Sequence, residues 1–567
     1  MGQLNLVLLW HMHQPDYRNY KTNEFSLPWV YLHAIKDYTD MAYHLETHPQ
    51  VKAIVNFVPI LLEQLEDYAE QFSHGQMRDP LLRLLATPDL DQLPTSDRLF
   101  IFERCFQSNH TTMLQPYPTY KRLHNLYDTL HERGETELVY FSGQYLADLL
   151  VWYHLAWTGE SVRRNSETVM KLMAQGEGFS HNDRIQLFKL IGELIQDLIP
   201  RYRKLAESGQ IELSTTPYYH PLSPLLIDFS SAHDSLPDDP LPMNPAYPGG
   251  RKRVTFHLNS AIESHTQRFG AKPTGIWPAE GAVSLPLLEI LAAHDCHWCA
   301  SGESVLANSL RKSYPDNPLP DRSHYLYRPY QIQGETGSIT CFFRDDKLSD
   351  LIGFEYSKWF GRDAAEHFIQ CLEKIAHEAP PEETPIVSVI LDGENAWESY
   401  PYNGYYFLDD LYTLLEDHPG INTTTYHDYL ATPQHADSSV SLPILTAGSW
   451  VYGTFSTWIG DPEKNHAWDL LCAAKQSYDL VIQSNRLTDE EKKAACQQLA
   501  SCESSDWFWW FGDYNPAQAV ASFDQLYRED LVNLYQLLKL PVPSSVHEPI
   551  SKGDSHVEGD GTMRRSS

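Results

Sequence analysis

The chain has no apolar run approaching the ~18 residues that a membrane-spanning helix requires, so it reads as a soluble protein. Its opening, Met1-Gly2-Gln3-Leu4-Asn5-Leu6, has no basic n-region, no long apolar stretch and no small-residue cleavage site, and reads as the first strand of a mature, cytoplasmic protein. Positive charge is scarce: 43 Lys plus Arg face 75 Asp plus Glu, a formal net charge of −32. That field repels phosphate backbones and anionic lipid surfaces, so no nucleic acid and no membrane is an expected partner. Cysteine is dilute, with eight residues scattered at 105, 296, 299, 341, 371, 472, 496 and 502, which excludes a disulfide framework and suits small buried thiols. Also missing are a His-Glu-x-x-His helix, a phosphate loop, a Gly-x-Ser-x-Gly elbow and a dinucleotide fingerprint. His294-Asp295-Cys296-His297-Trp298-Cys299 has ligand-like content, but it overlaps a strand and has no second Cys pair nearby to complete a zinc site. No metal and no organic cofactor is expected.

What remains is a chain of 567 residues with 42% hydrophobic and 21% charged residues, enough for a real core and for two or three structural units. Aromatics are abundant, at 14 Trp, 33 Tyr and 22 Phe. Short β-rich runs recur at Leu4 to Trp10, Ala53 to Val58, Ile211 to Thr216, Gly275 to Trp277, His297 to Ser301, Ser338 to Arg344 and Ile386 to Leu391. Helical stretches such as Arg253 to Phe269 and Leu285 to His294 separate them, so the pattern predicts an α/β fold with a parallel sheet or barrel. Residues 60–205 read as a helical insertion. In it Leu187, Leu190, Ile191, Leu194 and Leu198 form one apolar stripe behind an Asn182 or Asp183 cap, and Pro200 marks the expected exit. A catalytic unit is therefore expected over 1–405 and a C-terminal helical domain over 406–540, including helices at Leu487 to Cys502 and Ala517 to Lys539. A disordered tail is expected over 541–567.

Five clusters can carry chemistry. In His11-Met12-His13-Gln14-Pro15 the period of two turns both histidines to one side, as a sugar- or metal-binding pair or as two hydrogen-bonded loop imidazoles. Thr215-Thr216-Pro217-Tyr218-Tyr219-His220-Pro221-Leu222 mixes hydroxyls, aromatic faces and an imidazole, which suits a polyhydroxylated ligand or a proline-held turn. Gly275-Ile276-Trp277-Pro278-Ala279-Glu280-Gly281 places a carboxylate beyond a short buried strand. Asp392 ends the apolar run Val387 to Leu391 and is followed by Gly393-Glu394-Asn395-Ala396-Trp397-Glu398. The fifth cluster runs from Gly448-Ser449-Trp450 through Trp458 to His466-Ala467-Trp468, with tryptophans beside glycines as ligand platforms or as packing. Glu280 and Asp392 sit on separate strands that a barrel would bring face to face, and two carboxylates across a pocket suit glycosidic bond cleavage. Trp507-Phe508-Trp509-Trp510-Phe511 reads as packing of the helical domain onto the barrel, with sugar contact as the lesser reading.

In this order the five clusters resemble the five motifs of family 57 of the glycoside hydrolases, over His13 to about Trp468. The resemblance implies an incomplete seven-stranded (β/α) barrel, retention of anomeric configuration and an α-glucan substrate such as glycogen, starch or maltooligosaccharides. It implies that Glu280 is the nucleophile, that Asp392 is the acid/base, and that His13, His220, Trp450 and His466 bind or frame the sugar. His11, Trp277, Asp345, Trp397 and Trp458 join them as substrate-binding candidates. The motifs look most like the amylase and amylopullulanase group, which cleaves α-1,4 bonds, with α-1,6 bonds as a further target. A 4-α-glucanotransferase or branching enzyme would use the same two carboxylates. A metal-dependent deacetylase or mannosidase on a related barrel and a non-catalytic glucan-binding protein are the alternatives of other kinds.

Overall fold

The computed structural model describes residues 2–132, 138, 140–335, 337–380, 382–436, 438–484 and 486–553. Seven parallel strands close into a barrel: β1 (Leu4–Met12), β2 (Ala53–Phe57), β3 (Ile211–Thr215), β4 (Gly275–Ile276), β5 (Trp298–Gly302), β6 (Ser338–Arg344) and β7 (Ile386–Asp392). All seven expected runs are strands, with ends shifted by at most two residues. The ring closes where Ser388 of β7 meets Arg344 of β6 and where β7 runs beside β1, ending on the pair His11 and Asp392. β7 is apolar and buried almost throughout, as a strand covered on both faces must be.

Between β2 and β3 lies the helical insertion, which ends in the 27-residue helix His181–Glu207. Its cap is Ser180, whose side chain accepts from the Asp183 N–H while the Asp183 carboxylate accepts from the Ser180 N–H. The expected cap at Asn182 or Asp183 was therefore two or three residues late. Pro200 does not end this helix; it lies inside it. Tyr202 and Leu205 beyond it are buried, so packing carries the chain past the missing N–H. The helix Gly250–Phe269 follows β3.

The boundary expected at 405/406 also moves. The helix Tyr405–Asp417 leads into a short strand, Ile421–Thr423, that pairs with β1 at Leu4 to Leu6, so this stretch belongs to the barrel. The C-terminal unit is built from the helices Pro462–Gln483, Asp489–Cys502, Ser505–Trp510 and Ala517–Leu537. Of the expected disordered tail, residues 541–553 are tied down at a few points: the N–H groups of Ile550 and Ser551 donate to Asp524 at 2.7 and 3.1 Å, and Val546, Ile550 and Ser551 are buried. Aperiodic contacts of this kind leave no trace in hydrophobic periodicity. Residues 554–567 lie outside the described residues. No helix among the described residues is long and apolar enough to cross a membrane.

One buried cluster fastens the C-terminal unit to the barrel. Glu503 is fully buried, accepts from Arg253 Nε at 2.8 Å and Arg253 Nη2 at 2.8 Å, and faces His257 Nε2 at 2.7 Å and the Tyr247 hydroxyl at 2.5 Å. Burial alone would raise its carboxyl, but Arg253 and then His257 hold it down to about 2. Replacing Glu503 by Gln leaves the Arg253 guanidinium buried without its counter-charge. The expected loss is about 3 to 5 kcal/mol in denaturant or thermal unfolding, together with loss of activity, because residues 504–506 reach the barrel mouth from this anchor. An unchanged unfolding midpoint contradicts the anchoring role.

Candidate active site

The C-terminal ends of β1, β3, β4 and β7 and the segment after Glu503 surround one pocket. Glu280 follows β4 in a turn whose backbone is left-handed at both Glu280 (φ 59°) and Gly281 (φ 55°). A side chain on Gly281 would meet the Trp277 ring at 2.7 Å, so only glycine lets the turn lie against that indole. Strained backbone of this kind is held by its surroundings and is common at functional sites. The Trp450 indole N–H donates to Glu280 Oε2 at 3.1 Å, and the Ser505 hydroxyl donates to Oε1 at 3.3 Å. Burial, then the nearby charges of Asp506 and Asp392, push the Glu280 carboxyl up to about 8 against those two donors.

Asp392 ends β7 opposite His11. Its Oδ2 accepts from the Asn395 amide at 2.8 Å, and burial raises its carboxyl although Asn395, His13 and Arg344 oppose the rise. Glu394 is buried two residues on, with Oε1 accepting from the His13 N–H and the Gln14 amide, each at 3.3 Å. Burial, then Asp392, holds its carboxyl well above the usual range. The pocket thus gathers four carboxyl groups, Glu280, Asp392, Glu394 and Asp506.

Three imidazoles line the same pocket. His11 and His13 do point to one side, with ring centroids 5.9 Å apart. His13 stacks on His220 at 3.9 Å, and His11 Nε2 lies 3.2 Å from His220 Nε2. Burial, then His13, lowers His11 to about 3, and burial, then His13 and His11, puts His220 well below its usual value. Both are therefore neutral hydrogen-bonding groups. His11 Nδ1 meets Asn56 Oδ1 at 2.7 Å, and His220 Nδ1 meets the Ser505 hydroxyl at 2.9 Å. His13 Nε2 lies 2.9 Å from both oxygens of Asp506. His13, His220 and Asp506 place one ligand atom each within 4.8 Å of one another. The two imidazole planes are stacked at 18°, however, so their in-plane lone pairs run side by side and do not converge on one point.

Glu280, Asp392, His11, His13, His220 and Trp450 of the sequence candidates therefore line one pocket. Trp277 lies beneath it, fully buried and edge-on to Trp450 at 5.2 Å. The other four lie outside its wall. Asp345 is buried, accepts from Arg322, Tyr327 and the Leu348 N–H, and caps a short helix. Trp397 donates to the Gly393 carbonyl at 2.9 Å and so props the loop after Asp392. Trp458 is fully buried, and its carbonyl accepts from the Trp468 indole. His466 is exposed on the helix Pro462–Gln483: the helix begins at Pro462 and turns this position to solvent, which loop-like glycines just upstream conceal in the sequence.

Sequence reasoning missed Ser505 and Asp506, which a short polar run directly ahead of Trp507 could have flagged. It also treated the aromatic run as one thing, and the helix Ser505–Trp510 splits it. Trp507 and Phe508 are buried, whereas Trp509 and Trp510 are half-buried and line the pocket, with Trp510 stacked on Phe523 at 4.4 Å.

The Trp450 N–H holds Glu280. Trp450→Phe keeps a ring and removes that donor to a carboxylate, an interaction of about 1.5 to 3 kcal/mol. The expected outcome is a fall of about 10- to 100-fold in kcat with KM changed much less. A change confined to KM on long and short oligosaccharides alike would contradict it.

The family model for glycosyl hydrolase family 57 matches residues 7–443. Among solved structures, the branching enzyme of this family type from Pyrococcus horikoshii superposes with a TM-score of 0.57 at 15% identity, covering 98% of this chain and 99% of that one. The branching enzyme from Thermococcus kodakaraensis gives 0.56 at 15% identity over 95% and 89%. An α-amylase from Thermotoga maritima gives 0.55 at 13% identity over 95% and 94%. At these identities the likeness is one of fold, and it runs through the barrel and the C-terminal helices together. With the family model spanning most of the barrel and both carboxylates in one pocket, the chain belongs to glycosyl hydrolase family 57.

Proposed function

We propose that the chain is a retaining α-glucan hydrolase in which Glu280 attacks the anomeric carbon and Asp392 protonates the departing glycosidic oxygen. The observation that carries this reading is the convergence of Glu280 and Asp392, from β4 and β7, into one buried pocket with different hydrogen-bond surroundings. Burial raises both carboxyls; the Trp450 and Ser505 donors oppose the rise at Glu280 and favour its ionised form, whereas Asp392 receives the single Asn395 bond. The α-bond of a glucan breaks as the Glu280–glycosyl bond forms, and the aglycone oxygen takes the Asp392 proton. Water then attacks the glycosyl-enzyme while Asp392 takes a proton back. The neutral imidazoles of His11 and His220 suit sugar hydroxyls, and the half-buried indoles of Trp509 and Trp510 suit sugar faces.

A second reading, transfer to a glucan hydroxyl in place of water, draws support from those same indoles, which offer an acceptor sugar an apolar surface. Product analysis on maltooligosaccharides, amylopectin and pullulan separates the two. Hydrolysis raises reducing ends steadily and Glu280→Gln abolishes the rise; a constant count of reducing ends with redistributed chain lengths means transfer.

Asp506 sets a pH prediction. Glu280 must be ionised to attack, and the Asp506 charge raises its carboxyl. Asp506→Asn removes that like charge, so Glu280 ionises at lower pH and the acidic limb of the kcat/KM profile moves toward acid. A limb that stays in place or moves upward contradicts the coupling.

A further inference from the structure

Outside the pocket, a second cluster of ligating groups lies between two barrel helices. His44 belongs to the helix Thr39–Thr47, and His48 caps its C-terminal end one turn later, so the two imidazoles share a face. Across from them the helix Tyr405–Asp417 contributes Asp409 and Thr413. His44 is completely buried, and neither of its ring nitrogens has a hydrogen-bond partner. Buried imidazoles without a partner are unfavourable, and such groups in a native structure call for a ligand.

The surroundings of His48 prepare it to coordinate. Its Nδ1 lies 2.9 Å from the His44 carbonyl, which can only accept, so Nδ1 carries the proton and Nε2 keeps its lone pair. That Nε2 receives the Thr413 hydroxyl at 3.2 Å and stands 3.7 Å from Asp409 Oδ1. One ligand atom from each of His44, His48 and Asp409 lies within 4.8 Å of the others. A tetrahedral ion with bonds of about 2.0 to 2.1 Å holds its ligands about 3.4 Å apart, so closure asks for small side-chain movements.

We propose that His44, His48 and Asp409 bind a late first-row divalent ion, with Zn²⁺ as the best match, at a structural site separate from the active pocket. Two imidazoles and one carboxylate suit this class of ion, whereas Ca²⁺ and Mg²⁺ prefer oxygen alone. The Asp409 side chain is 45% exposed, which gives the ion an entry path and a place for a water as fourth ligand. Bound there, the ion ties the helix that precedes β2 to the helix that follows the Asp392 loop.

The test is a Co²⁺ titration of the chelator-stripped, full-length protein, read by visible absorption and repeated on Asp409→Asn, His48→Gln and Asp506→Asn. One equivalent of strongly absorbing four-coordinate Co²⁺ is expected in the wild type and in Asp506→Asn, weakened at least about tenfold in Asp409→Asn and His48→Gln. Zn²⁺ should raise Tm by a few degrees in the wild type and not in Asp409→Asn, which, being half-exposed, folds normally. The proposal is overturned if the wild type binds no Co²⁺, if both site variants bind as tightly as the wild type, or if Asp506→Asn is the variant that loses the ion.

Discussion

The buried charge of Glu503 is the constraint on which the site's completeness depends. Arg253 and His257, from the helix that follows β3, and Tyr247 just ahead of it surround this one carboxylate, and Ser504, Ser505 and Asp506 follow it directly. Ser505 N–H then donates to the His220 carbonyl at 2.9 Å, so the segment is tied at both the anchor and the pocket. A buried carboxylate among such donors tolerates little displacement, because any opening leaves charge in a low-dielectric interior. The C-terminal unit is thereby a wall of the pocket, one that supplies a hydroxyl, a carboxylate and two indoles.

That wall explains why the electrostatics of the pocket cannot be read from the barrel alone. Asp506 reaches both His13 and, through its field, Glu280. Trp450 joins the same network from the loop ahead of the C-terminal helices, with its N–H on Glu280 and the Arg344 guanidinium 5.1 Å from its ring. Three separate stretches of chain thus bear on the state of one carboxyl. Glu280, the proposed nucleophile, is poised by a balance of donors and like charges, and the left-handed turn at Glu280 and Gly281 aims it.

Much of this was legible in the sequence. The seven strands announce themselves because each is a short apolar run with a polar end, and parallel strands buried on both faces have no other way to be written. His11 and His13 were readable through the two-residue period, and Glu280 and Asp392 through their position beyond strand ends. Positions settled by tertiary contact were not. Pro200 sits within a helix because residues on either side are packed, His466 faces solvent because its helix starts four residues earlier, and Asp345 serves as a cap. The Ile421–Thr423 strand is three residues long, too short for a period. His44 and His48 stand four apart in the sequence, yet nothing there shows that Asp409 lies across from them. Ser505 and Asp506 look like an ordinary helix start until Glu503 fixes where that helix points.

The most direct test of the central claim is to trap the covalent intermediate. Asp392→Asn incubated with an α-maltosyl fluoride, whose leaving group needs no proton, should form the glycosyl-enzyme and then stall, since the base that activates the incoming water is gone. Peptide mass spectrometry of the quenched protein should find the maltosyl group esterified to Glu280. A label on Asp506 or another carboxylate, or turnover without any adduct and with inverted product, would contradict the account.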